Sequence, residues 1–155
     1  MLIKIKHRYT KNVLYSCDAE NLRDAVENAI KAGANLAGAN LTDANLTGAN
    51  LTGAYLTGAN MAGANIAGEK LAICPITIYG LYWNVLISEG FMKIGCQRHT
   101  HDAWKNFTIS DIGNMHDQAL EFWGANKTVL LKLCANHRKE SLSYCKDNPE
   151  KFLEK

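Results

Sequence analysis

A large apolar residue returns every five positions in the first half of the chain: Leu36, Leu41, Leu46, Leu51, Leu56, Met61 and Ile66. An Ala stands two positions before each, and Asn, Thr and Gly fill most of the other slots. This spacing fits neither the 3.6-residue period of a helix nor the two-residue period of a strand. A helix would scatter the leucines around its surface, and a flat strand would alternate them between faces. A chain that turns a corner every five residues puts all of them on one side. The spacing therefore predicts a β-solenoid with an apolar interior.

The units are ANLAG (34–38), ANLTD (39–43), ANLTG (44–48), ANLTG (49–53), AYLTG (54–58), ANMAG (59–63) and ANIAG (64–68). This run resembles the pentapeptide-repeat family, whose pattern is A-(N/D)-L-x-x. The resemblance implies a short right-handed quadrilateral β-helix with one unit per side. Ala and Leu point inward, and Asn, Thr and Gly lie outside or at corners. Seven sides at four per coil make fewer than two coils. Stacked strands rise about 4.8 Å per layer, so the cylinder is only about 10 Å tall. Its open ends need covers, which the flanks are expected to supply. Two residues break the pattern: Asp43 in a Gly slot and Tyr55 in an Asn slot. Four units per coil stack Tyr55 on Asn35 and Asp43 against Gly63. Neither disturbs the inward set, so neither is expected to matter for folding. Tyr55, an outward aromatic on a plain wall, is the interface candidate.

The expected fold is a mainly β solenoid with helical caps, in the α+β class. Residues 1–33 read as an N-terminal hairpin and a capping helix, with Asp18 as the N-cap and Gly33 ending the helix. Residues 34–68 form the repeat. In residues 69–140, Tyr82 to Ile87 and Phe91 to Cys96 read as a hairpin, and helices follow. Thr100 and Ser110 serve as N-cap candidates, and Gly124 separates the last two helices. Residues 141–155 read as a polar, frayed tail. The strand-turn-strand-helix leader resembles that of pentapeptide-repeat proteins of phages and prophages. The block "FMKIGCQRHTHDAW…ALEFW…LLKLC" resembles their C-terminal module.

Composition narrows the function. The 155 residues carry a net charge of +2, 47% apolar and 21% charged residues. That is the profile of a globular domain, with no strong field directed at nucleic acid or a membrane. The five cysteines are odd in number, widely spaced and free of any CxxC, which fits a reducing compartment. The start "MLIKIKHRYTKN" has no apolar signal region, and no apolar run is long enough to span a bilayer. A cytoplasmic location in the bacterial host is expected.

The densest chemistry lies between Cys96 and Trp104, where Cys96, Arg98, His99, His101, Asp102 and Trp104 fall within nine positions. Three readings compete. Structurally, this is a strand-to-helix junction with Trp104 in the core. As a ligand site, Arg98, His99 and His101 hold an anion while Trp104 stacks on a ring. As a metal site, Cys96, His99 and His101 give a C-x2-H-x-H set with no fourth ligand at a familiar spacing. A secondary basic face, Lys6, His7 and Arg8, is either an anion surface or an edge strand blunted by charge. Trp83 and Trp123 read as core, and His116 and His137 as residues of polar helix faces.

No GxSxG, Walker loop or GxGxxG occurs, so no enzyme and no cofactor are expected. The expected function is non-enzymatic sequestration of an anionic small molecule, such as a signalling nucleotide, in phage–host conflict. The alternative is an inhibitor that docks on a host defence or replication protein. Inhibition of gyrase by DNA mimicry ranks last, because a repeat with one carboxylate cannot match the charge density of a duplex. A homodimer is expected on the electrically bare repeat wall.

Overall fold

In a computed structural model the chain is described over residues 1–51, 54–66, 69–78 and 80–152. Parts of two repeat units (52–53 and 67–68) and the end of the tail (153–155) lie outside the described residues.

The repeat units whose turn residues are described close through a tight turn. The Leu carbonyl accepts the N–H of the Ala three residues on, as from Ala39 to Leu36 at 3.0 Å and from Ala44 to Leu41 at 3.2 Å. The residue before that Ala has a positive φ: Gly38 at 70°, Gly48 at 75° and Gly58 at 69°. This is a type II turn, whose third position suits Gly. Asp43 occupies the same slot at φ 57°. Asp is one of the few L-residues that tolerate it. The Asn slot has a role of its own. Asn35, Asn40, Asn45 and Asn60 each accept the N–H two residues on through the side-chain oxygen, capping the corner. Tyr55 lacks that acceptor, so this break alters a local bond that the repeat uses elsewhere.

Residues twenty apart pair in parallel: Asn35 with Tyr55, Asn40 with Asn60 and Asn45 with Asn65. Leu41 N–H donates to the Asn60 carbonyl at 2.8 Å, and Asn60 N–H donates back to Ala39 at 2.7 Å. Every apolar residue of the five-residue series is buried, with Leu36, Leu46 and Met61 fully so. These contacts are isolated bridges. The named sheets are small, antiparallel and open, and the longest element is a helix. The described residues thus fit the expected α+β class, with helix outweighing strand rather than the reverse.

The N-terminal flank is a hairpin of β1 (Leu2–Lys6) and β2 (Val13–Asp18), followed by α1 (Leu22–Lys31). Asp18 is not the helix cap, because it is still paired in the hairpin with Leu2. Asn21 is the cap, its side chain accepting the Asp24 N–H at 3.0 Å. Helix α1 buries Ala25, Val26 and Ala29 in the repeat core. It also touches the repeat backbone, where Asn50 N–H donates to Glu27 at 2.9 Å.

On the other side a short ribbon, β3 (Asn65–Ile66) and β4 (Glu69–Lys70), leads to an antiparallel sheet in the order β5-β6-β7-β8. Its strands are Ile76–Ile78, Val85–Ile87, Phe91–Ile94 and Gln97–Thr100. The expected hairpin is therefore the centre of four strands. One face carries Ile76, Ile78, Val85, Ile87, Met92 and Ile94 into a second core with the helices. The other face sends Leu86 and Phe91 into the repeat core. Period-two alternation makes the sheet a divider between two cores.

Helices α2 (His101–Asn106) and α3 (Ile109–Gly113) are capped by Thr100 and Thr108. Ser110 lies inside α3. Thr108 wins because it forms a reciprocal capping box with Asp111. The Thr108 backbone N–H, then its hydroxyl, holds the Asp111 carboxyl below the usual carboxylate range. Helix α4 (Ala119–Asp147) runs 29 residues, straight through Gly124 and past Ser141. Gly124 is exposed there and Ser141 is buried. Packing on both sides of the glycine outweighs its helix cost of about 1 kcal/mol. A last turn, α5 (Pro149–Phe152), follows.

Leu46 is fully buried in the repeat, so Leu46→Ala is expected to lower stability by about 2–5 kcal/mol in urea denaturation. A loss below about 1 kcal/mol would show that the repeat interior collapses around the gap.

Candidate functional site

The pleat of β8 parts Arg98 from His99 within the Cys96–Trp104 stretch. Its register pairs His99 with Met92 and Arg98 with Lys93, so adjacent Arg98 and His99 point to opposite faces. His99 faces the helices, where its ring meets Trp104 edge-on at 5.2 Å and Phe107 at 4.9 Å. Its Nε2 bonds to Gln97 Oε1 at 3.0 Å. Arg98 lies exposed on the other face, its guanidinium 3.9 Å above the centre of the Phe91 ring. Trp104 is buried, and its Nε1 donates to the Met92 carbonyl at 2.7 Å. It is a core strut, not a platform beside Arg98. Cys96 is exposed in the turn between β7 and β8. Cys96, His99 and His101 are not brought together, and among the described residues no group of three or more His, Cys, Asp or Glu stands ready for a metal.

The basic strand is also put to structural use. The Lys6 carbonyl accepts Asn40 N–H, and Arg8 N–H donates to Gly38, each at 2.8 Å. Arg8 also reaches the Gly58 carbonyl with its guanidinium at 3.3 Å. The His7 ring lies against Gly38, where no Cβ would fit. Its Nδ1 accepts the backbone N–H groups of Tyr9 and Thr10. His7 and Arg8 fasten the hairpin to the repeat, and only Lys6 keeps an exposed side chain. Tyr55 is 53% exposed on the repeat wall.

His101 belongs to a different place, a groove of about 780 Å³ between α2 and α4. From α2 it is lined by His101, Asp102 and Lys105, and from α4 by Arg138, Lys139 and Lys146. Leu131, Ala135, Leu142 and Ser143 continue the same stripe of α4. The steps 131, 135, 138, 139, 142, 143 and 146 are those of one helix face. Four basic side chains thus converge with Asp102 as the one carboxylate of the lining. His101 Nε2 is buried with no hydrogen-bond partner among the described residues. Such a groove concentrates positive potential and offers several donors to an anion. The signal for it in the sequence is the helical spacing beyond residue 140, which a helix ending there conceals.

Two of the five thiols are held out of nucleophilic chemistry by burial. Burial, with Glu89 nearby, pushes the Cys74 thiol up to about 11. Burial does the same to Cys134, also to about 11. At neutral pH these groups are protonated and poor nucleophiles. His137, expected on a polar face, is 2% exposed. Its Nε2 lies 2.9 Å from the Cys74 carbonyl. A carbonyl only accepts, so Nε2 carries the proton and pins α4 to the segment before β5.

Two outcomes follow. His137→Ala removes that donor and is expected to cost about 1–3 kcal/mol in chemical denaturation; an unchanged midpoint would dismiss the pin. A water-soluble thiol reagent should modify Cys96 in the fast phase and Cys134 last, with the fast phase absent in Cys96→Ser. Equal rates at the two thiols would contradict this burial pattern.

The family model described as pentapeptide repeats (8 copies) matches residues 32–68. No curated protein and no solved structure matches the chain significantly. No helix among the described residues is long and apolar enough to cross a membrane. Proteins with such repeats are in general structural or binding proteins. The chain carries a pentapeptide-repeat segment between two flanks that the family model does not cover.

Proposed function

We propose that the protein binds an anionic small molecule, without turnover, in the groove between α2 and α4. The observation that carries this reading is the convergence of Lys105, Arg138, Lys139 and Lys146 on one groove with a single carboxylate. His101 is the member of the sequence-predicted ligand set that lines it. A nucleotide is the proposed class, because several phosphates can engage several cations at once. Arg98 plays no part, since it faces the other side of the sheet.

The repeat is read as a short right-handed quadrilateral β-helix that serves as scaffold. Parallel pairing at a spacing of twenty residues, four units, supports the four-sided count. The phage-type leader and C-terminal module motivate the wider reading: a cytoplasmic protein that sequesters a signalling nucleotide of host defence. A second reading is a docking module for a host protein. The exposed Tyr55 ring on the repeat wall favours that one.

Calorimetry of the full chain against a panel of cyclic and linear nucleotides separates the two. Saturable binding is expected for at least one. The Arg138→Glu and Lys139→Glu variants should each weaken it by about tenfold or more at unchanged thermal stability. Arg98→Ala should leave it intact. Uniformly flat titrations would overturn the proposal, as would binding that depends on Arg98 and ignores Arg138.

A further inference from the structure

Arg98 lies outside the basic groove, yet it lines a cleft of its own. This cleft, of about 520 Å³, opens between β4, the turn from β6 to β7, β8 and the first turn of α2. Its walls include Glu69, Gly90, Phe91, Arg98, Thr100 and Ala103. The lining carries one carboxylate, Glu69, and one guanidinium, Arg98, with no Lys or Asp.

Each of these two charges is held in place, and neither is held by the other. The Arg98 guanidinium rests 3.9 Å above the centre of the Phe91 ring. That ring is 5% exposed and anchored in the repeat core, so it is a fixed platform. A guanidinium stacked on a ring keeps its N–H groups directed outward in its own plane. Among the described residues Arg98 makes no hydrogen bond and no ion pair. Glu69 is fixed by different means. Its Oε2 accepts the hydroxyl of the fully buried Ser88 at 3.0 Å. Its Oε1 packs against Gly90, where a Cβ would stand 2.5 Å from it. Glu69 also forms no ion pair among the described residues. Opposite charges fixed separately in one cleft are preorganised for a ligand that carries the converse pair.

We propose that this cleft binds a small zwitterion, an amino acid with a free carboxylate and a free ammonium group. The carboxylate takes the open N–H groups of Arg98, and the ammonium donates to Glu69. Glu69 repels a polyanion, and Arg98 repels a simple amine, so the pair selects a ligand bearing both charges. The cleft shares no lining residue with the basic groove. Either site can therefore fail without the other.

The probes are linear ω-amino acids from glycine to aminohexanoate, with the carboxylic acid and the amine of the same length as controls. The full chain, labelled with nitrogen-15, is titrated with each at neutral pH. The Arg98 Nε–H resonance, assigned by its loss in Arg98→Gln, is followed. At least one amino acid is expected to shift it saturably and to bind about tenfold more tightly than either control of its length. Glu69→Gln, which can still accept the Ser88 hydroxyl, should bring the amino acid down to the affinity of the carboxylic acid. Should that variant fail to fold, Gly90→Ala decides. Its methyl group displaces the Glu69 carboxylate, and the preference is expected to vanish while the melting temperature holds. No saturable shift, equal affinities in the unaltered protein, or a preference retained in either folded variant would each overturn the proposal.

Discussion

The turn that closes the described five-residue units is the constraint on which the rest depends. A Leu carbonyl takes the N–H of the Ala three residues on, and the residue between Thr or Ala and that Ala adopts a positive φ. This turn brings every Leu to the same side, and the Asn side chain satisfies the N–H that the corner would leave exposed. An interior built this way is narrow, and the run is short. Its two ends must be covered, because open backbone edges and leucines left in water favour association. Ile5 of the hairpin and Ala25, Val26 and Ala29 of α1 pack into the repeat core, as do Leu71 and Phe91 from the other flank.

The sheet β5-β6-β7-β8 then does two jobs with one period. Leu86 and Phe91 enter the repeat core while Val85, Ile87, Met92 and Ile94 enter the helical one. Partly buried polar contacts tie these segments together. Glu89 accepts the backbone N–H groups of Ala72 and Ile73, and the Ser88 hydroxyl donates to Glu69. His137 reaches from α4 to the carbonyl of Cys74. The His137 bond ties α4, which carries one side of the basic groove, to the segment before the sheet.

Much of the fold was legible in the sequence, because it is written in short-range periods. The five-residue series, the leader hairpin, α1, its end near Gly33 and the Thr100 cap all follow from local rules. Errors came where a local signal met a longer-range one. Asp18 looked like a cap, but pairing with Leu2 holds it in a strand. Ser110 lost to Thr108, whose partner Asp111 completes a box. Gly124 looked like a break, but burial of Trp123 and Leu130 on either side carries the helix through. His137 looked solvated because its burial depends on a segment 63 residues away.

The sequence by itself determined the repeat, since each unit's shape depends on residues at most five positions apart. It also marked the residues able to carry chemistry. Only the tertiary structure decided which of them meet. Within the stretch from Cys96 to Trp104, strand alternation sends Arg98 and His99 to opposite faces, while His99 meets Trp104 across the turn into α2. His101, in contrast, joins Arg138, Lys139 and Lys146 across a helix pair. The physical reason is that side-chain direction follows backbone geometry, while proximity between distant segments follows from packing against a shared core.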